Sequence, residues 1–361
     1  MRSAAVVGTG LIGTSIALAL AARGVAVYLR DADLDSARTA ASLGAGTTEE
    51  PPGPVDLAVI AVPPGLVAEV LAEAQAAGLA RAYTDVASVK SGPRQDIAAR
   101  GCRTSDYIGG HPMGGAERSG PLAARADLFE GRTWVLSPAP DTSTDALNAA
   151  LELVALCGAV PVVMDPGAHD RAVALVSHTP QLLSSMVAAR LADADETAVR
   201  LSGPGIRDTT RIAASDPELW VEILSANAGV VADVLDEVAE DLRATVGGLR
   251  ALQSADAEKR AAGAQAVAEV MRRGNRGRSR IPGKHGAPPT RYEALTVLIG
   301  DQPGELARLF GDAGQAGVNI EDVAIEHSTG QQAGFVTLSV APTAVPVLAA
   351  ALRERGWRIR G

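Results

Sequence analysis

The most constraining feature of this chain is a glycine-rich segment near its start, residues 8–13 (GTGLIG), which matches the pattern G-x-G-x-x-G. The segment follows an apolar run that predicts a buried strand, and it opens an apolar stretch that predicts a helix. In this setting Gly8 permits a tight turn, Gly10 lets a pyrophosphate approach the backbone, and Gly13 lets the helix pack closely on the strand. The free N–H groups at the helix start would bind the phosphates. The chain is therefore expected to bind a dinucleotide.

An acidic residue stands where the ribose of such a dinucleotide would lie. Asp31 ends the second predicted strand, where a carboxylate can accept hydrogen bonds from both ribose hydroxyls. That carboxylate would repel a 2′-phosphate, so NAD is favoured over NADP. Arg30 keeps NADP as the less favoured alternative, because an arginine could pair with the phosphate. The predicted cofactor-binding residues are Gly8, Gly10, Leu11, Ile12, Gly13, Asp31, Val62, Pro63 and Ser88.

Predicted strands and helices alternate along the first part of the chain, and the strand at 56–62 is apolar throughout, as in the interior of a parallel sheet. This alternation predicts a Rossmann-type, doubly wound α/β domain over residues 1–166. Residues 167–272 show helical periodicity, which predicts an all-helical substrate and dimerisation domain. One long helix is expected there, from the N-cap Asp216 to about Leu242. Its apolar character favours a homodimer.

The rest of the chain divides into a short segment and a small domain. Residues 273–290 are rich in glycine, proline and basic side chains, which predicts a linker. A nucleic-acid-binding tail is the less favoured interpretation, because the segment has no aromatic residues. Over residues 291–361 the pattern predicts strands and helices in the ferredoxin-like order βαββαβ.

The composition of the chain argues against several classes of partner and site. The net charge of −9 argues against general nucleic-acid binding. No uninterrupted apolar run reaches the roughly 18 residues of a membrane span, and the first residues lack the pattern of a signal peptide. We therefore expect a cytoplasmic protein with no membrane partner. Two cysteines are too few for a disulfide framework, and no Cys/His cluster has zinc-ligand spacing, so no metal site is expected.

Three polar segments lie at predicted strand ends or helix starts, at residues 84–90, 109–120 and 176–181. The first two follow predicted strands. Ligands of open α/β sheets bind beyond the carboxyl ends of the strands. Ser88 and His111 are therefore expected to converge on the nicotinamide of the cofactor.

These segments resemble motifs of the prephenate and arogenate dehydrogenases of tyrosine biosynthesis. The resemblance is carried by the GTGLIGTS start, by D-x-x-S-V-K at 85–90, by G-G-H-P-M-x-G-x-E-x-x-G at 109–120, by S-H-x-P at 177–180, and by D-x-T-R-I-A at 208–213 with Trp220 after it. It implies an oxidative decarboxylation that uses NAD. A base takes the proton of a ring hydroxyl, NAD+ takes the hydride, and carbon dioxide leaves as the ring becomes aromatic.

The resemblance also implies roles for individual residues. His111 matches the catalytic base, and an imidazole is a competent proton acceptor at neutral pH. Ser88 matches the residue that orients this histidine and touches the nicotinamide. Arg211 matches the arginine that binds a substrate carboxylate. His178 and Glu117 match further residues of the substrate pocket.

Gln181 departs from the family pattern, because many members have a second histidine at this position, near the substrate side chain. Prephenate carries a keto-acid side chain, whereas arogenate carries an amino acid. An amide could donate a hydrogen bond to a ketone or accept one from an ammonium group. Gln181 therefore does not decide between the two substrates. The function favoured by the resemblance as a whole is prephenate dehydrogenase, with arogenate dehydrogenase as the alternative.

The final domain resembles ACT regulatory domains, which commonly bind amino acids at subunit interfaces. The predicted effector-binding residues are Asp301, Pro303, Gly304, Asn319 and Ile320. Feedback by L-tyrosine is the hypothesis that follows, and a purely dimerising module is the alternative.

Two other readings of the chain are less favoured. An enzyme of the hydroxyacid-dehydrogenase type predicts a catalytic lysine between His169 and Arg190, and none occurs there. A non-catalytic sensor of NAD and amino acids predicts a broken catalytic base, whereas Ser88, His111 and Arg211 are all present.

Overall fold

The computed structural model describes residues 1–114, 119–281, 292–300, 302–327 and 333–360. Contacts within the chain divide it into two compact units, residues 1–240 and 241–361.

The first unit is built on a seven-stranded sheet of order β2-β1-β3-β4-β5-β6-β7. Neighbouring strands are parallel, except that β5 and β6 are antiparallel. The strands are β1 Ser3–Val7, β2 Ala26–Arg30, β3 Val55–Ile60, β4 Ala80–Asp85, β5 Tyr107–Pro112, β6 Thr133–Pro138 and β7 Val160–Val163. The helices between them are α1 Leu11–Ala21, α2 Leu34–Ser42, α3 Val67–Ala76, α4 Ser91–Ala99 and α5 Thr144–Leu156. The predicted Rossmann-type α/β fold is confirmed.

Two apolar layers bury this sheet. Ile16 and Leu20 of α1 pack in one layer, together with Val154 of α5. Leu71 of α3 and Ile97 of α4 pack in the other. Because β1 to β5 are parallel, their carboxyl ends lie at one edge of the sheet, and the loops that follow them meet there.

The remainder of the first unit is helical, as predicted. Its helices are α6 Pro166–Val173, α7 Thr179–Ala189, α8 Glu196–Arg200, α9 Pro204–Thr210, α10 Pro217–Ser225 and α11 Ala228–Ala251, the last of which continues into the second unit. Asp216 caps α10, as expected, by accepting a hydrogen bond from the N–H of Glu218 (3.0 Å).

The expected single helix from Asp216 to about Leu242 is wrong, because α10 ends at Ser225 and α11 begins at Ala228. Asn227 lies at the break. Its side chain is buried and donates a hydrogen bond to the backbone carbonyl of Asp170 (2.9 Å). An inward-facing amide with this partner fixes the chain where the apolar pattern alone predicts a continuous helix.

Helices α6 and α7 are joined by a π-helical turn, Ala174–His178, into one helical stretch, Pro166–Ala189. This stretch is long and apolar enough to cross a membrane by length and composition alone. The sequence-based expectation considered only uninterrupted apolar runs. In the structure the stretch buries the polar side chains of His169, Asp170 and His178 and exposes Leu175 and Val176.

The second unit holds the end of α11, helix α12 (Ala257–Arg278) and a small sheet of order β11-β8-β10-β9, whose strands are all antiparallel. Its further elements are β8 Glu293–Gly300, α13 Glu305–Gln315, β9 Asp322–His327, β10 Ala333–Val340, α14 Val345–Glu354 and β11 Arg358–Arg360. The order of strands and helices agrees with the sequence-based prediction. Apolar side chains such as Val297, Leu309 and Leu348 form its core.

The predicted linker at 273–290 begins too early, because α12 continues to Arg278. Glu269 pairs with Arg272 (2.9 Å) and Arg276 (3.1 Å) along the helix surface. Arg276 and Arg278 lie in the last turn of α12, where positive charges stabilise the negative end of the helix dipole. Residues 282–290 lie outside the described residues.

Two glycines of α12 should respond oppositely to alanine. At Gly263 a Cβ would lie 2.6 Å from the carbonyl oxygen of Gly248 on α11, whereas at Gly274 a Cβ would meet nothing within 4 Å. We predict that Gly263→Ala lowers the free energy of unfolding by about 1–3 kcal/mol through overpacking. Gly274→Ala should raise it by about 1 kcal/mol through helix propensity. Urea unfolding of the full chain measures both, and an equal response would contradict the close packing of α11 and α12.

Candidate active site

The glycine-rich loop after β1 has the shape that a pyrophosphate requires. Gly8 has a φ of +100°, and a Cβ there would lie 2.2 Å from the carbonyl oxygen of Ala61. A Cβ at Gly13 would lie 1.9 Å from the carbonyl oxygen of Gly8, so both positions exclude larger residues. At Gly10 a Cβ would meet nothing within 4 Å, and the start of α1 has no side-chain cap. An open approach to uncapped N–H groups is a site for phosphate.

Residues at the ends of β2 and β3 lie beside this loop. The Asp31 carboxylate accepts hydrogen bonds from the N–H (2.6 Å) and hydroxyl (2.8 Å) of Thr9, which hold it beside the glycine loop. Arg30 forms an ion pair with Glu50, so the guanidinium that could have bound a 2′-phosphate already has a partner. Val62 lies beside the turn, 3.3 Å from where a Gly8 Cβ would be. This geometry fits NAD.

His111 lies near the carboxyl end of β5, at the same edge of the sheet. Its Nδ1 is 2.9 Å from Nε2 of His169 on α6. The other ring nitrogen of His169, Nδ1, is 2.9 Å from Oδ1 of Asp170. His169 and Asp170 are 1% and 3% exposed, whereas His111 is part-buried, so the inner imidazole and the carboxylate of this row are shielded from water.

The Asp170 carboxylate also caps α4. Its Oδ1 accepts a hydrogen bond from the N–H of Lys90 and its Oδ2 from the N–H of Ser91, both at 2.8 Å. Burial acts to raise the pKa of Asp170, but the hydrogen bonds from His169, Ser91 and Lys90 outweigh it and lower the pKa to about 2. The carboxylate is therefore charged over the whole physiological range.

A second buried carboxylate shapes the loop that carries Ser88. Asp85 forms an ion pair with Lys90 and accepts hydrogen bonds from the N–H of Ala87 (2.7 Å) and the hydroxyl of Tyr107. Burial lowers the pKa of Lys90, and the charge of Asp85 acts in the opposite direction. Asp85 and Lys90 thus fix the path of the chain between β4 and α4.

The surroundings of His111 keep its imidazole neutral. Burial lowers the pKa of His111 well below its usual range, and the charge of Lys90 and the rings of His169 and His178 act in the same direction. The charge of Asp170 opposes them and is outweighed. A neutral imidazole at physiological pH is able to accept a proton.

The π-helical turn sets the position of His178. Nine residues separate it from His169, and at about 100° per residue an α-helix would place the two on opposite sides. One extra residue in a π-helical turn reduces this angle to about 80°. Asn227 lies 3.3 Å from Nδ1 of His178, and the ring of Trp220 meets this imidazole edge to face, with 6.4 Å between the centroids.

Gln181 ties α7 to the segment that carries Arg211. Its Nε2 donates hydrogen bonds to the carbonyl of Ile212 (2.9 Å) and the hydroxyl of Ser215 (2.7 Å). The Arg211 side chain is exposed and, within the described residues, forms no hydrogen bond or ion pair. A free guanidinium is available for a carboxylate.

Two models of one protein family match most of the first unit. The family model "Prephenate dehydrogenase, nucleotide-binding domain" matches residues 16–163, and "Prephenate dehydrogenase, dimerization domain" matches residues 165–259. The chain belongs to the prephenate dehydrogenase family. The part of the chain that contains β8 to β11 lies beyond both family models.

Relatives extend the likeness. The chain is 45% identical to the probable prephenate dehydrogenase NovF of Streptomyces niveus over 359 residues, 99% of each chain. It is 30% identical to the prephenate dehydrogenase of Bacillus subtilis over 243 residues, 64% of this chain and 65% of that one. Among solved structures, the prephenate dehydrogenase of A. aeolicus in complex with hydroxyphenyl propionate and NAD+ matches with a TM-score of 0.64 and 25% identity, over 77% of this chain and 97% of that one.

The structure brings together some of the residues that the family resemblance implied. His111 stands at the sheet edge with the glycine loop, and His178 lies beside Asn227. Ser88 lies in the loop after β4, but in the described part of the chain it forms no hydrogen bond, so its contact with His111 stays a prediction. Glu117 lies outside the described residues.

Sequence reasoning missed the partners of His111. His169 and Asp170 lie in the first turns of α6, which is capped by Asp165. A histidine next to an aspartate at such a helix start is the sequence feature that could have pointed to them. Their distance of 58 residues along the chain from His111 hid the contact.

Alanine at two glycines of the loop should separate cofactor binding from folding. Gly10→Ala adds a Cβ that meets no protein atom, so we expect an unchanged melting temperature and an NAD+ affinity at least about tenfold weaker, or 1.4 kcal/mol. Gly13→Ala should instead destabilise the fold by about 1–3 kcal/mol. Calorimetric titration and thermal unfolding measure the two effects, and unaltered NAD+ affinity in Gly10→Ala would place the pyrophosphate elsewhere.

Proposed function

We propose that this protein is an NAD-dependent prephenate dehydrogenase, which converts prephenate to 4-hydroxyphenylpyruvate by oxidative decarboxylation in tyrosine biosynthesis. The observation that carries the proposal is the imidazole of His111, part-buried and held against His169, at the same sheet edge as a dinucleotide-binding loop. The 45% identity to a probable prephenate dehydrogenase along the whole chain supports the same reaction.

Each group of the site has a task in this reaction. His111 accepts the proton of the substrate hydroxyl at its free ring nitrogen. When NAD+ is bound, its nicotinamide supplies the acceptor for the hydride. Arg211 binds a substrate carboxylate and orients the ring. His169 and Asp170 are buried, so water is kept away from the side of the His111 ring that they contact.

Replacing the base tests its role. His111→Asn should lower turnover of prephenate by about 10²–10⁴-fold, because general base catalysis contributes about that much. NAD+ affinity should be unchanged, since the glycine loop does not contact this ring. NADH formation followed by absorbance, with NAD+ titration as the control, measures both. Comparable activity in the variant would exclude His111 as the base.

The pH dependence of the reaction follows from the lowered pKa of His111. The neutral form is the active one, so activity is lost as the pH falls through the pKa of the folded protein, which lies well below 6.5. We therefore expect kcat/KM for prephenate to be constant from pH 8 down to 6.5 and to decline only at lower pH. An imidazole with an ordinary pKa would give half of its plateau at about pH 6.5. A measured midpoint there would contradict the burial of the ring.

Arogenate is the second candidate substrate, and the geometry of Gln181 favours it. Both N–H bonds of its amide are directed to the carbonyl of Ile212 and the hydroxyl of Ser215. The atom left for a ligand is the carbonyl oxygen, which accepts from an ammonium group but cannot donate to a keto acid. Parallel assays of NADH formation with prephenate and arogenate decide between the substrates, and Gln181→His should shift the ratio of the two kcat/KM values towards prephenate.

We also propose that the unit containing β8 to β11 is an ACT regulatory domain that binds L-tyrosine. The antiparallel sheet and the glycine at the start of α13, where Gly304 has a φ of +93°, support this proposal. Pro303, Asn319 and Ile320 would contribute to the site, whereas Asp301 lies outside the described residues. Calorimetric titration of the full chain with tyrosine, and of Asn319→Ala beside it, tests the proposal. Absence of tyrosine binding to the full chain would exclude it.

The helical part of the first unit is proposed to form a homodimer in the cytoplasm. Its family model is a dimerization domain, and it exposes the apolar side chains of Leu175, Val176, Met186 and Val221. The domain limits 1–166, 167–272 and 291–361 stay predictions. Sedimentation of the purified chain measures the assembly.

A further inference from the structure

The row formed by His111, His169 and Asp170 has only one consistent placement of protons when the imidazoles are neutral. A carboxylate has no hydrogen to donate. Asp170 already accepts from the N–H groups of Lys90 and Ser91. At pH 8 a neutral imidazole carries one proton on one of its two nitrogens. The 2.9 Å contact between His169 Nδ1 and Asp170 Oδ1 therefore requires that proton to be on Nδ1.

The next contact in the row follows from the first. With its proton on Nδ1, His169 presents a bare Nε2, which can only accept. The 2.9 Å contact with His111 then requires His111 to donate from its own Nδ1. The remaining nitrogen of His111, Nε2, is left without a proton.

We infer that His169 and Asp170 are positioning residues that fix the tautomer of His111 and so make Nε2 the atom that takes the substrate proton. This inference rests on the proposed dehydrogenase activity. It assigns a role to a buried histidine and a buried carboxylate. Both lie outside the sequence motifs that carry the family resemblance. Neither residue touches the substrate; both act through the ring of His111.

The geometry makes this control rigid. The side chains of His169 and Asp170 are buried, and Asp170 is tied to the start of α4 by two N–H groups and to Asn227 through its backbone carbonyl. The acceptor for His111 Nδ1 therefore cannot turn away from β5. Once Nε2 has taken the proton, Nδ1–H still donates to His169, and the charge of Asp170 lies one ring further along.

The tautomer can be observed directly in the wild-type protein. The chain has five histidines, so ¹⁵N labelling of histidine in the full chain gives few ring-nitrogen signals, and the spectrum of His111→Asn assigns those of His111. At pH 8 we expect Nδ1 of His111 to be protonated and Nε2 to be bare. A proton on Nε2, or a second proton on His169 at this pH, would overturn the inference. This measurement needs no turnover, so it stands apart from the proposed function.

Kinetics of two variants at one position separate positioning from packing. His169→Leu removes the acceptor, and we expect kcat for the better substrate to fall at least 100-fold with KM and NAD+ affinity within threefold of wild type. His169→Gln offers a carbonyl oxygen to His111 Nδ1 and should recover at least tenfold of that loss. Equal activity of the two variants, or an unchanged kcat in His169→Leu, would overturn the inference.

A control on the same helix guards against a general effect of mutation. Arg171 is the next residue after Asp170 and forms an exposed ion pair with Glu237. Arg171→Ala should leave kcat unchanged. If His169→Leu does not fold, the wild-type spectrum still decides the tautomer. If wild type turns over neither prephenate nor arogenate, the proposed function fails while the spectrum still tests the row.

Discussion

The active site depends on one buried carboxylate, that of Asp170. It accepts hydrogen bonds from the first N–H groups of α4, and it contacts His169, the imidazole next to the proposed base His111. A charged group with 3% exposure is tolerated only because each oxygen has donors. The hydrogen bonds that stabilise the buried carboxylate also link α6 to α4 directly and, through His169, to His111 on β5. The position of His111 and the packing of these three elements therefore depend on one set of hydrogen bonds.

The sheet supplies the other constraint. Five parallel strands end at one edge, which brings the glycine turn, Asp31, the Ser88 loop and His111 to the same side of the sheet. The buried pair of Asp85 and Lys90 then holds the loop after β4 in place. Lys90 serves both carboxylates, since its side chain pairs with Asp85 and its backbone N–H with Asp170.

The sequence predicts features that depend on local patterns, and it does not predict contacts between distant segments. The glycine turn after β1 and the alternation of strands and helices are local patterns, and the structure confirms them. His111 lies near the carboxyl end of β5, and its role stays a prediction. The contact of His111 with His169 joins residues 58 positions apart, and no local pattern carries it. The break at Asn227 and the π-helical turn before His178 arise from buried hydrogen bonds and packing, which override a continuous apolar pattern. The early start of the predicted linker has a similar cause, since Glu269 supports the end of α12 through ion pairs.

The proposed reaction couples oxidation at the ring hydroxyl to loss of the ring carboxylate in a single site. The most direct test is the stoichiometry of the reaction with purified protein, NAD+ and each of the two cyclohexadienols, measured as NADH by absorbance and carbon dioxide by mass spectrometry. We expect one carbon dioxide for each NADH with at least one of the two substrates. NADH without carbon dioxide, or no NADH with either substrate, would contradict it.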